Sequence, residues 1–335
     1  MSWHDDDLFK AVYPDSLDEL GGIASPAFRL TAQGSLNDAH PLDHVDAYDR
    51  LFQVFRPVLD RFAERLAFTE VAGAKARRRI SITKDDWQPF HHLRSVVPDD
   101  DRQWVGFDFK SGKTEKVFDK GPTGFRLRVA RTVQVDATVT VSAFESGEID
   151  IQRLKDAMLG LPLRSAIAGY GMATSAFFDG HEYARAHMLP VARKYPVLDV
   201  CPSPLRAWFS DRDNDVNDNW VTGVNWITLV GEPYLSVLGG ADAITNSLPD
   251  GIEARVAGNA ALFQIGECPI TGQVGVDDGM LPLYRALGDR LKPQGNGCPS
   301  HEHPRQPVFG EEYSDSSLLW DRRFFDGRWF EETGK

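Results

Sequence analysis

Apolar residues recur at helical spacing between Asp43 and Leu66 and predict the first long helix of the chain. The apolar stripe consists of Val45, Tyr48, Leu51, Phe52, Phe55, Val58, Leu59 and Phe62. Most of the charged residues in this stretch occupy other faces, which is typical of a helix packed on a core. Pro57 lies inside the pattern and lacks a backbone N–H, so a kink or a break is expected there. We interpret the stripe as core rather than as a partner site.

Strand patterns follow the helix. Alternating polar and apolar residues in RRRISIT (77–83) and WVGFDFK (104–110) predict two short strands, and PDDD (98–101) between them predicts a turn. The stretch from Gly121 to Gly124 predicts another break. Residues 125–144 are rich in valine and threonine and predict two strands of an antiparallel sheet.

The second half of the chain mixes short helices and strands. Its predicted helices cover 150–159, 181–195, 232–238 and 281–291. Its predicted strands cover RSAIAGYGMATSAFF (164–178), 226–230, 252–256 and 261–265. The paired glycines Gly239 and Gly240 are expected to end a helix, because glycine tolerates the left-handed conformation needed there.

These elements predict an α+β fold with mostly antiparallel sheets flanked by helices, because the strands occur in groups without regular βαβ alternation. We expect two subdomains, at 45–148 and 149–295. Residues 1–44, rich in Gly, Pro, Ser and Asp, are expected to wrap the surface. Residues 296–335 are expected to form an irregular segment rich in aromatic and acidic residues.

The net charge of the chain favours some classes of binding partner over others. The chain has 49 acidic and 37 basic residues and a net charge of −12. This charge disfavours direct binding to nucleic acid, which requires a basic surface, and it suits a basic protein partner. Solubility alone also explains the charge, since many ordinary cytoplasmic enzymes are as acidic. No apolar run is long enough to span a membrane, and MSWHDDDLFK lacks the features of a signal peptide. We therefore expect a cytoplasmic protein with reduced cysteines.

An acidic loop is one candidate site. Its carboxylates are Asp211, Asp213, Asp215 and Asp218 in DRDNDVND. A calcium loop of the EF-hand type needs glycine at its sixth position and a carboxylate at its twelfth, and Val216 and Thr222 stand there. We interpret the loop as solvated and as a candidate contact for basic groups of a partner protein, not as a metal site.

Catalytic and cofactor motifs are absent from the sequence. There is no GxSxG elbow and no phosphate-binding glycine loop, so no cofactor is expected. The nearest approach to a metal or thiol site is Cys298, His301 and His303 in GNGCPSHEHP, which lacks a second short-spaced pair of ligands. An enzyme of unfamiliar type using these residues stays an alternative. Cys268 is expected to be a buried structural cysteine.

Aromatic residues are set among charges in the C-terminal segment, where Trp320 and Trp329 are the largest. Such residues are common at protein interfaces, and they also anchor terminal segments onto their own domain. We include Trp320 and Trp329 with the acidic loop as candidate partner contacts.

Residues 45–295 resemble a known family. The units VNWITLVGEPYLSVLGG and ALFQIGECPITGQVGVDDGMLPLYRALGDRLKP carry the resemblance. The matching positions are Trp226, Gly239, Gly240, Gly266, Pro269, Gly272, Pro282 and Tyr284. In this order they are similar to the TsiV-like immunity proteins of the type VI secretion system. These residues are expected to be structural, with the tryptophan in the core and glycine and proline shaping turns.

The resemblance implies an antitoxin that is not an enzyme and that binds and neutralises a cognate toxin, with a cytoplasm-acting nuclease as the expected target. Occlusion of the basic substrate groove of the toxin is the expected mode, since an acidic inhibitor suits a groove that binds DNA. Two alternatives stay open: the enzyme described above, and an adaptor module without a toxin partner.

Overall fold

An eight-stranded antiparallel sheet organises the chain. The computed structural model describes residues 3–5, 24–35, 45–61, 69–71, 78–80, 105–112, 120–129, 132–174, 188–200, 223–291, 316, 319–320, 323–324 and 329–330. The strands are β1 (Ala24–Ser35), β2 (Thr69–Val71), β3 (Arg78–Ile80), β4 (Val105–Gly112), β5 (Lys120–Val129), β6 (Thr132–Thr140), β7 (Leu163–Thr174), β8 (Ile227–Gly231), β9 (Ile252–Ala257) and β10 (Ala260–Ile265). The helices are α1 (Val45–Arg61), α2 (Val141–Glu145), α3 (Ile151–Leu159), α4 (Tyr234–Val237), α5 (Ala241–Thr245) and α6 (Leu281–Leu291).

The sheet has the strand order β4-β5-β6-β1-β7-β8-β10-β9, and every neighbouring pair is antiparallel. Strands β2 and β3 form a separate antiparallel pair. Helices pack on this sheet without a regular βαβ alternation, so the predicted α+β class with antiparallel strands is confirmed.

Strand β1 lies in the centre of the sheet, between β6 and β7. The expectation that residues 1–44 wrap the surface is therefore wrong for 24–35. Phe28 and Leu30 are buried in the main core, whereas Arg29 between them points to the opposite face, which is also buried. Phe28, Leu30 and Ala32 alternate with Arg29, Thr31 and Gln33 along the strand. Arg29 and Gln33 are nevertheless buried, so the polar side of the strand does not face solvent.

Helix α1 confirms the first predicted helix and buries its apolar stripe from Val45 to Leu59, whereas Phe62 lies outside the described residues. It covers one face of the sheet, where the Phe52 and Phe125 rings meet edge to face with centroids 5.1 Å apart. The helix continues across Pro57, so the expected break does not occur. The break expected from Gly121 to Gly124 is also wrong, because these residues belong to β5.

Helix α3 shows why the local sequence folds as predicted. The Asp150 carboxylate accepts a hydrogen bond from the Arg153 N–H at 2.9 Å and caps the helix at its first turn. Gly160 ends the helix, and its N–H is bonded to the carbonyl of Asp156 at 3.0 Å. The predicted helix at 150–159 is thereby confirmed.

The predicted subdomain boundary near residue 149 falls between β6 and β7, which both pair with β1. The two predicted subdomains thus contribute to one sheet, and their division stays a prediction. None of the described helices is both long and apolar enough to cross a membrane.

Candidate interaction surface

A buried ionic cluster occupies the face of the sheet opposite α1. The Arg29 guanidinium donates hydrogen bonds from Nε and Nη2 to the Asp136 carboxylate at 3.1 and 2.9 Å. Its Nη1 lies 3.5 Å from Oδ2 of Asp199. Asp199 is held beside β7 by two backbone hydrogen bonds, to Tyr170 and from Met172. All three charged side chains are buried, so this cluster holds strands together and is not a surface that a partner reaches.

The residues that carry the family resemblance have structural roles, as predicted. Trp226 is 2% exposed and packs in the main core. Its indole Nε1 donates to the carbonyl of Gly266 at 3.3 Å. Gly266, Gly239 and Gly240 have φ of +66°, +91° and +89°, which glycine adopts without strain. Gly239 and Gly240 connect α4 to α5, and Gly266 sets the path of the chain as it leaves β10.

That loop, residues 271–278, is built around one carboxylate. Oδ2 of Asp277 accepts hydrogen bonds from the backbone N–H groups of Thr271, Gly272 and Gln273 at 3.2, 2.8 and 3.1 Å, and from the Thr271 hydroxyl at 2.9 Å. Asp278 accepts another bond, from the Gly275 N–H at 2.8 Å. Hydrogen bonds to a charged acceptor are stronger than neutral ones. The backbone of the 271–278 loop is therefore fixed from within.

The 271–278 loop is also fastened to the rest of the protein. The carbonyl of Thr271 accepts a hydrogen bond from the Val197 N–H at 2.9 Å. Gly272 has φ of +79°, and an added Cβ would lie 2.6 Å from a methyl group of Val197. Only glycine fits this contact, which brings the loop against the segment that follows the helical residues 188–194.

Two valines project from this fixed loop into solvent. Val274 and Val276 are 69% and 70% exposed. The other large apolar side chains with marked exposure in the described part of the chain are Val237 and Val256, at 41% and 47%. The loop thus presents a pair of apolar groups that its own fold leaves uncovered.

The chain segment that contains this loop is acidic. Residues 223–291 contain eight carboxylates and three guanidinium groups, a balance of −5. The carboxylates are Glu232, Asp242, Asp250, Glu253, Glu267, Asp277, Asp278 and Asp289. None of the eight is buried, and six are exposed. Arg255, one of the three bases, is paired with Asp156 on α3, and its hydrogen bond lowers the pKa of that carboxyl. The region therefore presents an excess of negative charge.

Trp320 and Trp329 lie in the protein interior rather than on a contact surface. Each is 2% exposed, and both pack in a cluster with Tyr195 and the helical residues 188–192. The Arg323 guanidinium stacks on Trp320 with its carbon 3.8 Å from the ring centroid, and its Nε donates to the Pro196 carbonyl at 2.7 Å. This arrangement favours the anchoring interpretation of the C-terminal aromatics. A partner cannot reach either indole unless the side chain leaves its core.

The remaining predicted site residues have different outcomes. Asp211, Asp213, Asp215 and Asp218 lie outside the described residues, as do Cys298, His301 and His303. Cys268 is exposed, so its prediction as a buried structural cysteine is wrong. It follows the Gly266 turn, where the chain leaves the sheet. Within the described ranges, His, Cys, Asp and Glu side chains form no group of three that suits a metal ion.

Comparison with known proteins assigns the family. The model of the TsiV family, described as type VI immunity for VRR-NUC, matches residues 157–324, half of the chain. The chain belongs to this family, and it is a type VI secretion immunity protein for a toxin of the VRR-NUC nuclease class. The family named by the resemblance is thereby confirmed. No curated protein has a significant sequence match.

The fold has a counterpart among solved structures. The Pseudomonas aeruginosa T6SS protein PA0821 superposes with a TM-score of 0.66 at 20% sequence identity. The match covers 93% of this chain and 86% of that protein. At this identity the similarity shows a shared fold.

The 271–278 loop was missed as a candidate by the sequence analysis. Its signal is present in TGQVGVDDG, where glycines alternate with valines and two aspartates follow. Glycine and aspartate at this density are typical of a turn. The exposure of the valines, however, depends on where the loop stands on the folded domain.

Proposed function

We propose that this protein neutralises a VRR-NUC nuclease toxin by covering the basic groove through which the toxin binds DNA. The observation that carries the proposal is the family match, which gives the class of toxin. The acidic surface of residues 223–291 supports the mode of inhibition. Inhibition by binding requires no catalytic group, so the protein acts as a stoichiometric inhibitor and not as an enzyme.

Electrostatics favours this mode. A nuclease groove must carry lysine and arginine to replace the counterions of DNA. A protein with a net charge of −12 and an acidic surface presents the same sign of charge as the DNA backbone. Opposite potentials accelerate the encounter with the toxin and exclude the nucleic acid at the same time.

The proposed site of action is the cytoplasm, where a DNA-cleaving toxin meets its substrate. The acidic residues Asp211, Asp213, Asp215 and Asp218 are proposed as an additional contact with the basic toxin. Substitution of Asp213 and Asp215 together by lysine would then slow association with the toxin. Unchanged association kinetics would remove this loop from the proposal.

Co-expression with the cognate VRR-NUC toxin tests the proposal. We expect survival of cells that produce both proteins and a complex that co-purifies in fixed proportion. In a purified system, DNA cleavage should fall linearly with added protein and stop at equivalence. A chain that neither rescues growth nor forms a complex with the toxin would contradict the proposed function.

The same assay separates binding from enzymatic inactivation. If the protein modified the toxin, substoichiometric amounts would abolish cleavage after sufficient time. A stoichiometric inhibitor leaves the excess toxin active at any time of incubation. Toxin recovered from the complex by mild denaturation should regain its nuclease activity.

A further inference from the structure

We infer that the 271–278 loop, with Val274 and Val276 at its tip, is an anchor that docks onto the toxin's nuclease domain. The inference rests on the proposed function and adds the surface that makes the contact. Its starting point is the exposure of the two valines, 69% and 70%, on a loop that other contacts hold in place.

Hydrogen bonds within this chain hold the loop backbone in one conformation without a partner. Asp277 fixes three successive backbone N–H groups at its beginning, and Asp278 fixes the Gly275 N–H between the valines. Binding by a flexible loop loses conformational entropy, whereas a fixed loop loses little. Valine also has a single side-chain torsion with restricted rotamers. Burial of these two side chains against the toxin therefore contributes to affinity, and little conformational entropy is lost on binding.

The position of the loop relative to the core supports a rigid contact. Thr271 is bonded to Val197, and Met280 at the other end contacts Gly266, where an added Cβ would lie 2.5 Å from the Met280 methyl carbon. Helix α6 begins directly afterwards and buries Tyr284 and Leu287. Both ends of the loop are thus tied to the core, so the backbone at its tip is held in place.

The charged residues that flank the loop in the sequence indicate the class of partner. No lysine or arginine occurs between Arg255 and Arg285, whereas Glu267, Asp277 and Asp278 lie in that interval. Glu267 and Asp278 are exposed, and Asp277 is partly exposed. An apolar tip flanked along the chain by exposed carboxylates fits a basic surface with an apolar recess. The rim of a DNA-binding groove on a nuclease has this basic character.

Two pairs of exposed valines allow a matched test. The loop variant Val274→Ser/Val276→Ser removes the apolar tip, and the control Val237→Ser/Val256→Ser makes the same chemical change at exposed positions on α4 and β9. Binding to a catalytically inactive form of the cognate toxin is measured by titration calorimetry. We expect the loop variant to bind about 10- to 100-fold more weakly than the wild type. The control should change the Kd by less than about 3-fold.

A second variant tests the contribution of the fixed loop backbone separately from that of the two valine side chains. Asp277→Ala keeps both valines but removes the acceptor for Thr271, Gly272 and Gln273. We expect faster amide exchange at Gly272 and Gln273 and weaker toxin binding than in the wild type. Circular dichroism and thermal unfolding verify that each variant retains the native fold.

The outcomes distinguish this inference from the proposed function. A wild type that binds and inhibits the toxin, together with a loop variant no weaker than the control, overturns the loop anchor alone. A wild type that forms no complex overturns both. Selective loss of affinity in the loop variant, with the fold and the control intact, supports the anchor.

Discussion

Arg29 and Asp136 form a bidentate ion pair that joins β1 to β6 inside the protein. The Arg29 guanidinium reaches both carboxylate oxygens, at 3.1 and 2.9 Å, and both side chains are 2% exposed. Asp199 lies on the other side of the guanidinium, 3.5 Å from Nη1. The pair connects strands that are more than one hundred residues apart in the sequence, so it fixes the centre of the sheet.

Arg29→Met should destabilise the protein strongly. The substitution leaves two buried carboxylates without this guanidinium, and breaking a buried pair in this way costs about 3–5 kcal/mol. The free energy of unfolding from urea titration measures the effect. Arg56→Met is the control, because Arg56 and Asp60 form an exposed pair one turn apart on α1, and its loss should cost at most about 0.5 kcal/mol. Equal losses in the two variants would contradict a stabilising role for the buried cluster.

Tyr48→Phe should stabilise the protein at neutral pH. The Tyr48 hydroxyl is buried and has no hydrogen-bond partner among the described residues. Removing a buried, unpaired hydroxyl should raise the free energy of unfolding by about 1 kcal/mol. Tyr170→Phe is the matched control and should lower it by about 1 kcal/mol, because the Tyr170 hydroxyl donates to Glu145 at 2.9 Å. A loss of stability in Tyr48→Phe would show that the hydroxyl is satisfied.

The same variant makes a prediction for alkaline pH. Burial raises the pKa of Tyr48 above its ordinary value of 10.0. The unfolded chain releases this proton above that value while the folded chain retains it, so the contribution of Tyr48 to stability is lost as the pH rises. When the pH is raised from about 10 to about 11, the free energy of unfolding should therefore fall by about 1 kcal/mol less in Tyr48→Phe than in the wild type. Parallel pH curves for the two proteins would contradict the raised pKa.

Trp329→Ala tests whether the C-terminal aromatics anchor the chain or contact a partner. Trp329 is 2% exposed in the cluster with Trp320 and Tyr195, and truncation of such a residue costs about 3–5 kcal/mol. Trp329→Phe keeps most of the apolar volume and should cost less. A variant with unchanged stability but weaker toxin binding would assign Trp329 to the interface instead.

Local patterns predicted a large part of the fold. Helix α1 follows from its apolar stripe, and α3 follows from Asp150 and Gly160 at its two ends. Strand β1 was not recognised although Arg29, Thr31 and Gln33 alternate with its apolar residues, because the Gly, Pro, Ser and Asp content of residues 1–44 indicated a surface segment. Gly121 and Gly124 suggested a break, but pairing with the neighbouring strands keeps them in β5.

Less of the candidate site than of the fold could be predicted from the sequence. The family resemblance led to the toxin class, since Trp226 and the glycines fix an ordered set of turns. Trp320 and Trp329 were predicted as partner contacts because charged residues surround them in the sequence, but their burial depends on the tertiary packing of residues 188–200. Exposure of Val274 and Val276 likewise depends on the loop's place in the fold, because valine is ordinarily a core residue.

Displacement of DNA from the toxin tests occlusion most directly. A catalytically inactive VRR-NUC toxin is bound to a fluorescent DNA duplex, and this protein is added while the anisotropy is followed. Occlusion predicts that the DNA is released in proportion to the added protein and is free at equivalence. A ternary complex, in which the toxin holds DNA and this protein together, would contradict occlusion and require inhibition at a site outside the groove.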